Sequence, residues 1–328
     1  MTDDLQKWRR RVFASVDVAG STAFKQRSPE DSGRWAYVFK LFFDEFRTTL
    51  RACFDRLGKV ADGRPVVPMA VWKFVGDEIL FSAQIERHEA VAFHAIAFRD
   101  AINEYTAQLK KKPEHAALSL KGTFWGAGFP VSNVEVAPKL GDGESAPRDY
   151  LGPCVDQGFR LCALADVRRI PISVDIAYML ATTTFHGQSP LKVQCEEPKP
   201  HKGVPLPYPH IWLDRLDGRE SQEDKILERR PVMDPSRLKP YLEELFTEKR
   251  PGLFKPFLVN DPSGLFNTIP PEMAETWEKL LQLAAERTYS VNETATTAAP
   301  GKAPPLPTLP KNAKRSKPSK VRKKSKRA

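Results

Sequence analysis

A long apolar stripe near the start of the chain constrains the fold more than any other feature. Its side chains recur at helical spacing until Gly58 ends the pattern, and they are Phe39, Phe42, Phe46, Leu50, Phe54 and Leu57. Apolar residues three or four positions apart lie on one face of a helix, and that face needs a second layer to cover it. Ser28-Pro29-Glu30-Asp31 places a proline and two acids where a first helical turn favours them, so we expect the helix to begin there.

Short strand-like runs surround this helix. An apolar run over 11–18 precedes it, and a hairpin over 70–83 follows it with Val75-Gly76-Asp77 at the tip. A second amphipathic helix over 86–110 and a strand over 118–129 come next. The order β-α-β-β-α-β predicts an α+β, ferredoxin-like domain, with a mostly antiparallel sheet and helices packed on one face.

The pattern changes in the last third of the chain. Before that point we expect a helix over 156–167 and strands over 170–176 and 211–216. Beyond it, helices over 236–249 and 271–289 are joined by a linker rich in proline and glycine. We therefore expect an α+β domain over 1–216, a small helical extension over 217–290 and a disordered Pro/Lys-rich tail over 291–328.

The net charge of +10 belongs to the end of the chain. Residues 301–328 carry eleven lysines and arginines and no acidic residue, so the first 300 residues have a net charge of −1. With almost no apolar residue after Leu309, this tail cannot bury enough surface to fold. Such a tail can contact nucleic acid or an anionic surface nonspecifically, but a near-neutral body argues against nucleic-acid binding as the main activity.

Nothing in the sequence indicates a membrane span or a cysteine-based metal site. No apolar run approaches the roughly 18 residues that span a bilayer, and the charged segment 1–11 does not resemble a signal peptide. The four cysteines form no C-x-x-C pair, and the six histidines show no metal-ligand spacing. We expect His88 and His94 to lie on helix surfaces. The sequence predicts a soluble protein of a reducing cytoplasm.

Two carboxylates are expected at the same edge of the sheet. Asp17 ends the first strand and is followed, after Val18, by the small residues Ala19, Gly20, Ser21 and Thr22, whereas Asp77 lies at the hairpin tip. If these strands are neighbours the carboxylates converge, which is costly unless a cation lies between them. Hard divalent cations with oxygen ligands suit such a pair, and the N–H groups of 19–22 can hold phosphate oxygens.

A third polar segment lies over 149–160, with the sequence DYLGPCVDQGFR. Asp156 and Arg160 are four positions apart on the expected helix, hence on one face. An arginine there can neutralise charge that develops on a phosphoryl group. Taken alone, each of the three segments has an ordinary structural explanation as a turn, a helix cap or a surface ion pair.

Together, in this order and at this spacing, the three segments resemble the signature blocks of class III adenylyl and guanylyl cyclases over roughly residues 10–216. The resemblance implies that Asp17 and Asp77 bind metal, with the Val18 carbonyl as an additional ligand. It implies that Lys73, four residues before Asp77, and Asp149, three before Gly152, contact the base.

The resemblance also assigns roles on the helix of the third segment. Arg160 matches the arginine that stabilises the transition state at the α-phosphate. Asp156 stands where the family usually has asparagine, and its carboxylate can accept a hydrogen bond from the ribose directly or through water. We therefore expect Arg160 and Asp156 to be the catalytic residues of this helix.

The implied reaction closes a nucleoside triphosphate into a 3′,5′-cyclic nucleotide and pyrophosphate with two divalent metal ions, Mn²⁺ or Mg²⁺. In this family the metal aspartates come from one subunit and the base and arginine positions from its partner. One copy of this chain carries both sets, so the resemblance implies a head-to-tail homodimer with two equivalent sites.

The flanking residues SVDVAGSTAFK, WKFVGDEILF and DYLGPCVDQGFRL look most like the pyrimidine cyclases of Pycsar antiphage defence. That resemblance implies a uridylate cyclase, with cytidylate next, whose cyclic UMP activates a separate effector. A pocket for a smaller base can be narrowed by Trp72, Phe74 or Tyr150.

Two alternatives stay open. Lys73 and Asp149 are also the pair expected of an adenine-reading site, so the chain can equally be an adenylate cyclase making cyclic AMP. A lysine suits a carbonyl such as uracil O4, and a carboxylate suits an exocyclic amine on cytosine or adenine, so the two residues do not choose the base. The remaining alternative is a catalytically inactive, cyclase-like binding module in which the basic tail makes the functional contacts.

Overall fold

A seven-stranded sheet lies at the centre of the computed structural model. The structure describes residues 8–26, 32–58, 63–137, 148–183, 191–202, 204, 206–215, 226, 235–248 and 253–297. The strands run in the order β2-β3-β1-β4-β7-β9-β8, and a separate two-stranded ribbon pairs β5 with β6. The strands are β1 (Arg9–Ala19), β2 (Ala70–Val75), β3 (Glu78–Ile85), β4 (Ser119–Phe129), β5 (Val134–Val136), β6 (Asp149–Leu151), β7 (Arg169–Ile172), β8 (Val193–Lys199) and β9 (Tyr208–Asp214). The α-helices are α1 (Ser21–Lys25), α2 (Ser32–Leu57), α3 (Glu89–Lys110), α4 (Pro153–Cys162), α5 (Val174–Thr182), α6 (Pro235–Thr247) and α7 (Pro271–Thr297).

The first half of the domain follows the predicted order. After β1, α2 crosses to the β2–β3 hairpin, and α3 leads back to β4, which pairs with β1 on the side away from β3. Among the sheet pairs only β4 with β7 is parallel, so the predicted α+β class with a mostly antiparallel sheet is confirmed. The expected helix start at 28–31 lies outside the described residues.

The apolar stripe of α2 packs into the core, as its spacing predicts. Phe42 and Phe46 are 2% and 0% exposed, and both rings contact Tyr105 of α3. Burying each such ring contributes about 1.5–3 kcal/mol. The stripe therefore attaches α2 to α3 and to the sheet.

Both faces of the central strand β1 are covered. Val12, Ala14 and Val16 face the helices α2, α3 and α5, whereas Phe13 faces an aromatic cluster with Trp125 and Tyr150. The second face is covered by α4 and the β5–β6 ribbon. The expectation of helices on one face thus holds for α2, α3 and α5 but not for α4, because Gly158 lets α4 lie directly on Trp125.

The segment after α4 differs from the predicted elements. The strand expected over 170–176 ends at Ile172, and α5 begins at Val174. The Ser173 hydroxyl accepts a hydrogen bond from Gly126 N–H at 3.0 Å, which fixes the chain where it turns. Apolar residues continue at every second position through this turn, at 170, 172, 174 and 176, so the periodicity does not show the change.

Contacts divide the chain into two units, Met1–Ala284 and Ala285–Ala328. Within the first unit, α6 packs on α5, with the rings of Tyr178 and Phe246 5.4 Å apart, and Trp277 of α7 lies 5.6 Å from Trp8. The described part of the second unit is the helical end of α7. The basic tail lies outside the described residues, and the domain boundaries remain a prediction.

Two histidines expected on helix surfaces are buried. His88 is 5% exposed and its Nδ1 lies 2.9 Å from Oδ1 of Asp261, which also accepts the His88 N–H at 3.1 Å. His94 is 1% exposed against Phe54, and burial lowers its pKa to about 3. The prediction that these histidines lie on helix surfaces was wrong for both, because the rest of the chain covers more of α3 than its one apolar face.

Among the described helices, none is long and apolar enough to cross a membrane.

Candidate active site

The two predicted carboxylates lie at one edge of the sheet. β1 pairs with β3 so that Asp17 is opposite Glu78, and the next residue back, Asp77, forms the two-residue β2–β3 turn with Gly76. Gly76 has a φ of 62°, a conformation that favours glycine. Local hairpin geometry and strand register together therefore place Asp17 and Asp77 at the same edge of the sheet.

Each of these carboxylates has a lysine as counter-ion. Asp17 Oδ2 lies 2.9 Å from Lys121 Nζ, and Asp77 Oδ2 lies 3.4 Å from Lys25 Nζ. Burial raises the pKa of Asp77, but hydrogen bonds from Ser21 and the backbone, together with Lys25, outweigh burial and leave that pKa below its ordinary value. Asp77 is therefore an anion at neutral pH, the form that binds a metal.

The backbone beside the carboxylates has a strand partner on one side only. β1 continues through Val18 and Ala19 after its last pair with β3, so in the described chain this stretch pairs only with β4. The side facing the β2–β3 turn carries no strand partner there. Two carboxylates and an unpaired backbone edge form an oxygen donor set, which fits Mg²⁺ or Mn²⁺.

The segment predicted to hold phosphate forms a tight turn into α1. Gly20 has a φ of 87°, and a Cβ there would lie 3.1 Å from the Ala117 carbonyl oxygen. Ser21 donates a hydrogen bond to Asp77 rather than pointing away from the carboxylates. The turn is therefore attached to the carboxylate pair, and phosphate binding by Ala19, Gly20, Ser21 and Thr22 stays a prediction.

The two predicted base-contacting residues form an ion pair within one chain. Lys73 Nζ lies 2.8 Å from Asp149 Oδ1, and Lys73 also lies over the Trp72 ring, 4.1 Å from its centroid. A bulge between Val71 and Lys73 shifts the β2 register and so turns Trp72 and Lys73 toward the same side. Burial raises the pKa of Asp149, but Lys73 and the Tyr150 N–H outweigh burial and lower it overall.

Aromatic rings lie beneath this ion pair. Trp72 contacts Phe13 and Tyr150, with both ring separations at 5.2 Å. Tyr150 is 4% exposed and belongs to the core, whereas Phe74 is 51% exposed and contacts Phe43. Of the three bulky residues expected near the base, Trp72 is therefore the one in contact with Lys73.

Helix α4 presents Asp156 and Arg160. Its first turn is capped at long range, because Asn133 Oδ1 accepts a hydrogen bond from Cys154 N–H at 3.1 Å. Asp156 is exposed, and Arg160 lies close enough to His201 to lower the pKa of that imidazole, although burial is the larger cause. Both residues are described, and no ion pair joins Asp156 to Arg160, so the surface-pair explanation does not apply.

The predicted residues form three groups on one side of the sheet. Alternation along the strands places Asp17 on the same face as Phe13 and Trp125, which is also the face that α4 and β6 cover. The structure places Asp17 and Asp77 at one sheet edge and joins Lys73 to Asp149 in an ion pair. Within the described chain, Arg160 makes no hydrogen bond to either pair.

Several residues of this region were missed by sequence reasoning. Lys25, Lys121 and Glu78 surround the carboxylates, and their positions follow only from strand register and helix placement. Burial, with the charge of Asp17, raises the pKa of Glu78, although Ser15 donates a hydrogen bond to its carboxylate. For Glu78, the signal that could have found it is its position directly after the predicted metal ligand Asp77.

Solved structures with a similar architecture include nucleotide cyclases. The adenylyl cyclase CyaB from P. aeruginosa is 11% identical, with 66% of this chain and 97% of that chain covered and a TM-score of 0.46. The guanylate cyclase domain of RhGC from Catenaria anguillulae is 14% identical, with 63% and 97% covered and a TM-score of 0.43. Adenylate cyclases from Trypanosoma brucei are 13% identical, with 65% and 92% covered and a TM-score of 0.41. No protein-family model and no curated protein matches the sequence.

Proposed function

We propose that the chain is a nucleotidyl cyclase of the class III type, which converts a nucleoside triphosphate into a 3′,5′-cyclic nucleotide and pyrophosphate. The observation that carries the proposal is the position of Asp17 and Asp77 on neighbouring elements at one sheet edge, beside an unpaired stretch of backbone. An accessible carboxylate pair of this kind holds divalent cations, and a triphosphate completes their coordination.

The chain's own residues have distinct tasks in this reaction. Asp17, Asp77 and the Val18 carbonyl would hold two divalent ions, and these ions would lower the pKa of the ribose 3′-hydroxyl and neutralise the triphosphate. The 3′-oxygen gives its proton to solvent water and bonds to the α-phosphorus. The bond from that phosphorus to the oxygen that bridges it to the β-phosphorus breaks, and pyrophosphate leaves with that oxygen. Arg160 stabilises the charge that develops at the α-phosphate.

In the free protein, Lys121 neutralises the charge of Asp17 and Lys25 neutralises the charge of Asp77, so the carboxylates do not need a metal to be compensated. Because each lysine is only half-buried, it can move away from Asp77 or Asp17 without leaving an unpaired charge in the core. Released lysines lie close to where a triphosphate would bind. The same carboxylates can therefore be ion-paired in the free protein and metal-bound in the complex.

The site we propose is completed by a second copy of the chain. Within the described part of one chain, Arg160 makes no hydrogen bond to Asp17 and Asp77 or to the Lys73–Asp149 ion pair. These groups lie on the face of the sheet that α2 and α3 do not cover. A head-to-tail homodimer would bring Asp17 and Asp77 of one copy to Lys73, Asp149 and Arg160 of the other.

For the base we propose uracil, then cytosine, with adenine as the alternative. Lys73 and Asp149 touch at 2.8 Å over Trp72, so either kind of base has to separate this ion pair, and the preference for a pyrimidine rests on the resemblance of the flanking residues. Adenine is kept because Lys73 and Asp149 can also serve its ring nitrogen and amine. A cytoplasmic role in antiphage defence, with cyclic UMP activating a separate effector, is part of the same proposal.

Incubation of the full chain with Mn²⁺ and each of UTP, CTP, ATP and GTP tests the proposal. We expect cyclic UMP, and we expect Asp17→Asn and Asp77→Asn to abolish it. Asp55→Asn is the matched control, because this exposed acid pairs only with Arg51 on the surface of α2. Wild-type protein that forms no cyclic product from any of the four would favour the inactive binding module instead.

A further inference from the structure

A histidine and two carboxylates meet where the linker between α6 and α7 packs against the start of α3. Asp261 belongs to that linker, whereas His88 directly precedes α3 and Glu89 begins it. One potential metal-binding atom of each residue lies within 4.8 Å of the other two. His88 and Asp261 are both buried, and the Asp261 side chain is 0% exposed. The protein therefore encloses this cluster, which shares no residue with the proposed active site.

The donor atoms converge on Nδ1 of His88. This nitrogen lies 2.9 Å and 3.2 Å from the two carboxylate oxygens of Asp261, 3.4 Å from Oε2 of Glu89 and 3.3 Å from the Ser263 hydroxyl oxygen. Nδ1 can carry only one proton, and the nearest oxygen, Oδ1 of Asp261, is best placed to accept it. Oε2 of Glu89 is buried and has no hydrogen-bond partner in the described chain. The cluster therefore contains a buried carboxylate oxygen that no donor compensates, which is costly.

A divalent cation in place of the Nδ1 proton compensates both carboxylates. Imidazole nitrogen and carboxylate oxygen bind Zn²⁺ at about 2.0–2.2 Å, which separates neighbouring ligand atoms by about 3.3 Å in a tetrahedral site. The distances from Nδ1 to Asp261 and to Glu89 already lie on either side of that separation. A water held by the Ser263 hydroxyl can complete the coordination. The cluster thus has the donor atoms and the spacing of a zinc site.

Neighbouring residues hold these ligands in position. The His88 ring lies beside Phe266, with the two centroids 5.3 Å apart, and the Asp261 carboxylate also accepts the His88 N–H. Asn267 fixes the backbone of Asp261, because its amide donates to the Asp261 carbonyl at 3.0 Å and its side-chain oxygen accepts the Asp261 N–H at 2.9 Å. Outer contacts of this kind orient metal ligands and reduce the ordering cost of binding.

We propose that His88, Glu89 and Asp261 bind one divalent transition-metal ion, with Zn²⁺ as the ion that suits them best, at a site separate from the proposed active site. The ion joins the linker before α7 to the start of α3, although His88 and Asp261 are 173 residues apart. It stabilises the packing of the predicted C-terminal extension on the α+β domain, because an ion that binds only the folded chain favours folding.

Isothermal calorimetry with Zn²⁺ tests the site. The protein is the metal-free full chain carrying Asp17→Asn and Asp77→Asn, so that the metal ligands of the proposed active site are absent. We expect one Zn²⁺ to bind per chain and to raise the midpoint of thermal unfolding. Glu89→Gln and Asp261→Asn keep the size of each side chain but remove its charge, and each should weaken binding about tenfold or more.

The matched control is Glu86→Gln. This acid is exposed and lies outside the cluster, so its replacement should leave the affinity for Zn²⁺ unchanged. Thermal unfolding in EDTA shows whether each variant folds, and the partly exposed Glu89 decides the outcome alone if Asp261→Asn does not fold. The inference is overturned if no Zn²⁺ binds, or if Glu89→Gln binds Zn²⁺ as tightly as its parent. Neither measurement involves a nucleotide, so the result does not depend on cyclase activity.

Discussion

Replacing Gly158 by alanine should displace the helix that carries Arg160. A Cβ at this position would lie 2.2 Å from Cε2 and 2.3 Å from Nε1 of Trp125. Ordinary contact begins at 3.4 Å, so either the ring or α4 has to move by about 1.2 Å. Trp125 is 0% exposed and stacked on Phe13 at 5.5 Å, so the helix is the element that moves.

The magnitude follows from this displacement. Forcing a methyl group into a filled core costs about 1–3 kcal/mol, a large fraction of the roughly 5–15 kcal/mol that stabilises a domain. Arg160 lies two residues further along α4, and a shift of about 1 Å in a catalytic group lowers the rate about a hundredfold. We therefore expect Gly158→Ala to lower kcat/KM about a hundredfold and to lower the midpoint of thermal unfolding.

Thermal unfolding and initial rates of cyclic-nucleotide formation measure both effects. Gly33→Ala is the matched control, because a Cβ there has no atom of the described chain within 4 Å and the substitution lies in the first turn of α2, away from α4. If Gly158→Ala unfolds and reacts like Gly33→Ala, close packing of α4 on Trp125 does not position Arg160.

Three further predictions concern single side chains. Burial lowers the pKa of His94 from 6.5 to about 3, so below pH 6.5 this imidazole is protonated in the unfolded chain but not in the folded one. The free energy of unfolding should therefore fall as the pH drops below 6.5, by about 2 kcal/mol at pH 5. His94→Leu should remove that slope in urea unfolding at pH 7 and pH 5, and an unchanged slope would refute the assignment. Lys73→Met should raise the pKa of Asp149 toward its ordinary value in a carboxyl NMR titration, whereas no change would mean that the ion pair does not form in solution. Asn133→Ala removes the acceptor for Cys154 N–H and should cost about 1 kcal/mol in thermal or urea unfolding, with no loss if water replaces the cap.

Much of the first half of the fold follows from local pattern. The apolar spacing of α2 and the turn at Gly76-Asp77 are short-range signals, and each appears in the structure where the sequence predicts it. The approach of Asp17 to Asp77 also follows, because a hairpin pairing with the first strand leaves few alternatives for a β-α-β-β-α-β chain.

What the sequence does not reveal depends on contacts between distant residues. Lys121 meets Asp17 only through the register of β4 against β1, and Asn133 caps α4 from 21 residues away. The position of α4 on the second face depends on the space that Gly158 leaves above Trp125. Periodicity carries no information on such pairings.

A complementation assay tests the shared active site most directly. Asp17→Asn and Arg160→Ala, each purified alone, should form no cyclic nucleotide. When they are mixed in equal amounts and allowed to exchange subunits, half of the dimers contain one copy of each and have one intact site, so about a quarter of wild-type activity should return. Mixtures that stay inactive despite demonstrated exchange would contradict a site built from Asp17 and Asp77 of one copy and Arg160 of the other.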